Sequence, residues 1–129
     1  MTLVAVLLGG ILGTGLRLTI DQLVLPESAF PWATLLINVL GSFVLGLLVA
    51  KVWPTAPGWL RAGLGTGVLG SFTTFSAVIV SLLSLAVSGM TLLAVVYLVV
   101  TLVLGLAAAL LGIRLGARAP MAPPIEADE

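Results

Sequence analysis

The chain has 129 residues, 60% of them hydrophobic and 8% charged, with a formal net charge of zero and a mean hydropathy of +1.32. A soluble domain carries about 25% charged residues, so this is the composition of an integral membrane protein, and the balanced charge excludes the basic footprint of a nucleic-acid binder. Cysteine and histidine are both absent, which excludes disulfides, thiol chemistry, haem ligation and histidine-based metal or acid–base sites.

The apolar runs are continuous rather than alternating in segments of about ten residues, so spanning helices are expected and a β-barrel is not. The length admits no more than four spans. The first runs from about Leu3 to Val24, with Arg17 inside it and Asp21 near its end. It lacks a basic n-region and a convincing cleavage site, so Thr2–Leu16 reads as a retained span rather than a signal peptide. Pro26, Glu27 and Ser28 form a short polar turn. The second span runs from about Pro31 to Trp53, and 28–50 carries no charge. At roughly 1.5 Å per residue that is long enough for about 30 Å of hydrocarbon. Two prolines between Trp53 and Trp59 make the next turn. The third span, about Leu60 to Val87, and the fourth, about Thr91 to Ile113, share a 52-residue stretch, Ala62 to Ile113, without a charged side chain. Ser88-Gly89 joins them tightly. The expected organisation is one four-helix membrane domain over 1–117 and a polar tail, 118–129, disordered by composition.

Trp32, Trp53 and Trp59 all fall at expected span ends, as an aromatic belt requires. Lys51, Arg61, Arg114 and Arg118 flank the second connection and the C-terminus, which share one side in a four-span chain. The other side has at most Arg17, and only if that residue snorkels outward. The positive-inside rule then favours cytoplasmic termini, although so few basic residues allow insertion both ways. Gly9/Gly13, Ser42/Gly46 and Gly63/Gly67 are small pairs four apart, suited to close helix contact within one chain or between copies. Four short spans enclose little interior, so a pathway would call for oligomerisation.

Three polar features lie at bilayer depth, where polar groups are costly unless they line a protein-enclosed route. Arg17 follows a glycine-rich run and reads first as a structural residue, bonding carbonyls or snorkelling. Asn38 is the only asparagine. It can serve as helix–helix glue, or its N–H groups can serve an anion stripped of water. Thr34 lies one turn earlier on the same face. The third feature is Gly70–Ser76, with a glycine, four hydroxyls and two phenylalanines in mid-span. Its hydroxyls can offer the partners that a broken helix needs. Freed carbonyls can ligate a cation, half-helix N-termini can face an anion, and the edge of the Phe75 ring is electropositive.

Gly9-Gly10-x-x-Gly13-x-x-x-Arg17, Asn38-Val39-x-Gly41-Ser42-Phe43-x-x-Gly46 and Gly67-x-x-Gly70-x-x-Thr73-Thr74-Phe75-Ser76 together resemble the signature blocks of the CrcB/Fluc fluoride channels. The resemblance covers the first three spans in order, and the fourth only as an apolar helix. It implies an all-α membrane protein whose third helix is broken mid-membrane, assembled as an antiparallel dual-topology dimer in the cell inner (plasma) membrane. It implies passive fluoride export that lowers toxic cytoplasmic fluoride. It further implies a pore lined by Asn38 and Phe75, with Ser76 and more weakly Thr34 and Thr101 as a hydroxyl track. A structural sodium ion would sit at the dimer centre on the carbonyls of Gly70 and Thr73, and Arg17 would be the family's structural arginine. One departure is visible: where relatives often read Thr-Thr-Phe-Ser-Thr-Phe, Ala77 and Val78 replace the second hydroxyl and ring. Val78 would then take the second lining position. Some relatives pair as heterodimers with one degenerate pore, so the partner is an identical chain or a related one.

Two other classes compete. A small multidrug-type proton-coupled transporter has four spans and dual topology, but uses a membrane-embedded carboxylate, and only Asp21 comes near that role. A non-transporting assembly subunit would use the small-residue faces alone. Enzymatic function is the least supported, because no catalytic dyad, metal set or phosphate loop is present.

Overall fold

The computed structural model describes residues 1–24 and 29–117. The expected Pro26–Ser28 turn, Arg118 and the tail at 118–129 lie outside the described residues. Every element among the described residues is helical. Helix α1 is Thr2–Leu23 and α2 is Trp32–Lys51. The third span, Gly58–Val87, is assembled from pieces: α3 (Gly58–Ala62), a π-helical segment (Gly63–Leu69), α4 (Gly70–Phe72) and α5 (Phe75–Val87). Helix α6 is Thr91–Ala117. Four stretches are long and apolar enough to cross a membrane, so this is a multi-pass membrane protein.

The boundaries follow from sequence chemistry. The predominantly apolar runs become the helices, and the expected ends hold within four residues. Helix α6 continues past Arg114 to Ala117; one cationic side chain in a last turn complements the helix dipole instead of stopping the helix. The α5–α6 turn depends on Gly89, whose φ of +76° a side-chain-bearing residue rarely adopts. There the N–H groups of Gly89 and Met90 donate to the Ala86 and Leu85 carbonyls at 3.1 and 2.9 Å, closing α5.

The small-residue pairs act within the chain. Helix α2 packs along α6, and α1 packs along the π segment. A Cβ added at Gly46 would strike the Ala109 carbonyl, and one at Gly112 the Phe43 carbonyl. Likewise, a Cβ at Gly9 would strike the Gly63 carbonyl, and one at Gly13 the Val68 carbonyl. Backbones therefore touch across both seams, the contact that drives helix association in lipid, where no hydrophobic effect separates helices from tails. The π segment carries three glycines, and there the ladder runs five residues back, as from the Gly70 N–H to the Gly65 carbonyl. Widened turns of this kind concentrate at functional sites.

The core is small. Leu35, Val78, Leu85, Ala94 and Tyr97 are buried together, with Phe30 packing on the Tyr97 ring edge-to-face at 5.4 Å. Much of the remaining apolar surface is exposed on the single chain, Leu3, Leu92 and Phe75 among it. In a bilayer such surface meets lipid or another helix.

Candidate functional site

The third span breaks at two residues. Thr73 (φ −75°, ψ 152°) and Thr74 (φ −150°, ψ 116°) are both extended. The last rung before the break runs from the Thr73 N–H to the Leu69 carbonyl at 2.9 Å, and the Thr73 hydroxyl donates to that same carbonyl at 2.8 Å.

A side chain from another helix holds the break in place. Asn38 in α2 clasps Thr74 on both sides of its backbone. The Thr74 N–H donates to Asn38 Oδ1 at 2.9 Å, and Asn38 Nδ2 donates to the Thr74 carbonyl at 3.0 Å. The amide thus imitates a strand partner for one residue. Thr74 also caps α5: its Oγ1 accepts from the Ala77 N–H at 3.2 Å and pairs with Ser76 Oγ at 3.1 Å. Gly41, near Asn38 on α2, makes room for the arrangement, because a Cβ there would overlap the Thr73 methyl.

Two carbonyls are released as a result. In an unbroken helix the Gly70 carbonyl would receive the Thr74 N–H, and the Thr73 carbonyl the Ala77 N–H. Asn38 Oδ1 and Thr74 Oγ1 take those donors instead. Asn38, in turn, uses one of its two Nδ2 hydrogens on Thr74, leaving one N–H available.

A groove of about 880 Å³ runs along this site between α2, the third span and α6. Asn38, Gly70, Thr73, Phe75, Val78 and Thr101 all contribute to its wall. Phe75, the first residue of α5, is 69% exposed on the single chain. Phe72, by contrast, is buried against Gly41, so it does not replace a second pore ring. Val78 is 2% exposed and belongs to the core cluster as well as the groove wall. Ser76 is exposed beside the Thr74 cap, and Thr34 is half-buried on the Asn38 face of α2. Arg17 is half-buried and makes no ion pair or side-chain hydrogen bond among the described residues.

Sequence reasoning missed Tyr97 and Ser81. Tyr97 is fully buried, and its hydroxyl is surrounded by the side chains of Thr101, Ser81 and Thr34. Neither Tyr97 Oη nor Thr101 Oγ1 has a well-formed hydrogen bond among the described residues. Buried hydroxyls of this kind call for water or an ion. The available signal was a lone tyrosine placed four residues before Thr101 on one helix.

The model of the family described as "CrcB-like protein, Camphor Resistance (CrcB)" matches residues 4–113. The chain belongs to this family. A protein of Deinococcus radiodurans named "Fluoride-specific ion channel FluC" is 47% identical over 118 residues, covering 86% of this chain and 91% of its own. Proteins with the same name from Xanthomonas euvesicatoria pv. vesicatoria and Thermus thermophilus are each 44% identical over 114 residues. Those alignments cover 84% of both chains and, for Thermus, 86% of this chain and 91% of the relative. The multidrug-type alternative gains no support from these relatives. Asp21, which it would need, is exposed near the end of α1 and is not part of the groove wall.

Proposed function

We propose that this CrcB-family protein is a fluoride-selective channel that lets fluoride leave the cytoplasm passively. The observation that carries the reading is the Asn38–Thr74 clasp, which leaves one amide N–H and the exposed Phe75 ring at a break in mid-membrane. The name these relatives carry supports the choice of ion. Fluoride is compact and strongly hydrated, so a pore must replace its water with donors. The remaining Asn38 N–H, the electropositive edge of Phe75 and the hydroxyls of Ser76, Thr34, Thr101 and Tyr97 are those donors. Val78 contributes a close apolar wall that keeps competing water out. Arg17 has a structural role at the end of the glycine-rich half of α1.

The conducting unit is an antiparallel dual-topology dimer of identical chains. An exposed Phe75 and an open groove on one chain are what a partner would complete. A sodium ion at the dimer centre fits the carbonyl chemistry. Among the described residues no group of three His, Cys, Asp or Glu could hold a metal ion, whereas the Gly70 and Thr73 carbonyls lack ladder donors. These neutral oxygens suit a hard monovalent cation. Bound there, it would supply positive potential to an otherwise neutral pathway.

The test is fluoride efflux from proteoliposomes of pure protein in sodium buffer, read with a fluoride electrode. Efflux well above that of empty liposomes, with chloride retained, is the expected result. Efflux equal to that of empty liposomes would remove the channel assignment.

A further inference from the structure

A second cavity, of about 450 Å³, lies at the end of the bundle where α1 and α5 finish and α2 begins. Its wall includes Thr34 from α2 and Ser81, Ser84 and Ser88 from α5 and its cap. Residues 81, 84 and 88 recur three and four apart, so their hydroxyls share one face of an otherwise apolar helix. A serine in a helix commonly bonds back to a carbonyl a turn earlier. Ser84 and Ser88, both exposed on the single chain, make no side-chain hydrogen bond among the described residues, so their hydroxyls are accessible to a ligand.

Tyr97 lines neither this cavity nor the groove, but its hydroxyl has neighbours in both. The Tyr97 hydroxyl, fully buried and without a well-formed hydrogen bond, has Thr34 and Ser81 of the cavity around it, together with Thr101 of the groove. A buried hydroxyl with no well-formed partner calls for a water or an ion beside it. Among the described residues the cavity wall carries one charged side chain, Asp21.

We infer that this cavity is a further leg of the ion path, in which the hydroxyls of Ser84 and Ser88 solvate a small, strongly hydrated anion between the Tyr97 cluster and the bundle end. The inference rests on the channel reading. Hydroxyls can donate to an anion and rotate to follow it, which suits transit better than fixed capture. Asp21 sits at the mouth as a repelling charge, lowering the local anion concentration there.

The chain lacks cysteine, so single thiols report without background. Ser84→Cys, Ser88→Cys and the controls Leu83→Cys and Val87→Cys, both exposed on α5, are each compared before and after treatment with a methanethiosulfonate reagent. Treatment in detergent before reconstitution reaches both faces, and comparison within one variant cancels differences in folding. The expected result is a loss of fluoride efflux of roughly fivefold or more at positions 84 and 88, with 83 and 87 little changed. Asp21→Asn is expected to raise efflux about twofold at low ionic strength, an excess that fades as salt shortens the Debye length. Equal sensitivity at all four cysteines, or at none, would overturn the assignment of this leg. Parent protein that moves no fluoride would instead overturn the channel reading on which it rests.

Discussion

Asn38→Leu separates the two roles of Asn38. Leucine is close in volume but removes both bonds to Thr74. The Thr74 N–H then has no partner at bilayer depth, and the Thr74 carbonyl loses its bond from Nδ2. An unsatisfied buried amide costs about 1–3 kcal/mol in soluble proteins, whereas side-chain hydrogen bonds between membrane helices average about 0.6 and reach about 1.7 kcal/mol. For the two bonds the expected loss is therefore about 1–3 kcal/mol, or roughly 5- to 150-fold in the unfolding equilibrium. Titration of the refoldable protein with sodium dodecyl sulfate in mixed micelles measures it. A loss of that size leaves the protein folded in mild conditions, so its flux can still be read. Asn38→Asp is the complementary change. It keeps an acceptor for the Thr74 N–H, but turns an oxygen toward the Thr74 carbonyl and removes both N–H donors. Efflux is expected to fall by about 100-fold or more, because a carboxylate offers an anion repulsion where the amide offered a bond. Parental stability in Asn38→Leu would refute the clasp. Parental efflux in Asn38→Asp would refute the ion contact while leaving the clasp intact.

Phe75→Ile should lower fluoride efflux about tenfold with little change in the unfolding midpoint of the dispersed chain, since the ring is largely exposed there. Tyr97→Phe should change stability by less than about 0.5 kcal/mol, because the hydroxyl has no well-formed bond to lose, yet should slow efflux measurably; a matched loss of stability would mark the hydroxyl as structural. Gly112→Val should destabilise by about 1–3 kcal/mol or prevent folding, since its Cβ meets the Phe43 carbonyl across the α2–α6 seam, and a parental unfolding midpoint would show that the seam is looser than described. Replacing sodium by N-methylglucamine throughout purification should reduce both efflux and thermal stability, with full recovery when sodium is returned; no change in either would remove the sodium site.

The spans were legible because hydrocarbon thickness and the cost of charge act on residues near in sequence. Continuous apolar runs bounded by Lys51, Arg61 and the tryptophans marked the helices to within a few residues. The break was legible only as a region. Gly70–Ser76 signalled a weak helix, but the choice of Thr73–Thr74 depends on Asn38, 36 residues away. No local propensity records a partner on another helix. The π segment left no pattern of its own, because glycines at 63, 65 and 67 indicate permissiveness and not a particular ladder. Tyr97 escaped notice for a related reason. A tyrosine in an apolar span is usually read as packing, and only the placement of Thr34, Ser81 and Thr101 around its hydroxyl gives it another meaning.

The clasp also explains why one asparagine can serve both fold and pore. A broken helix in lipid must find partners for the backbone groups it releases. Here the amide partners the backbone of Thr74 at the break, and by taking the Thr74 N–H it leaves the Gly70 carbonyl without a ladder donor. Capping by the Thr74 hydroxyl does the same for the Thr73 carbonyl. The interactions that stabilise the break therefore create free carbonyls, while the one unused Asn38 N–H adds a donor. Donor and acceptor sites arise from the same few bonds, so their positions are coupled. A substitution that lets the third span heal into a continuous helix would remove the released carbonyls and displace the Phe75 ring together, even if every groove-lining side chain were kept.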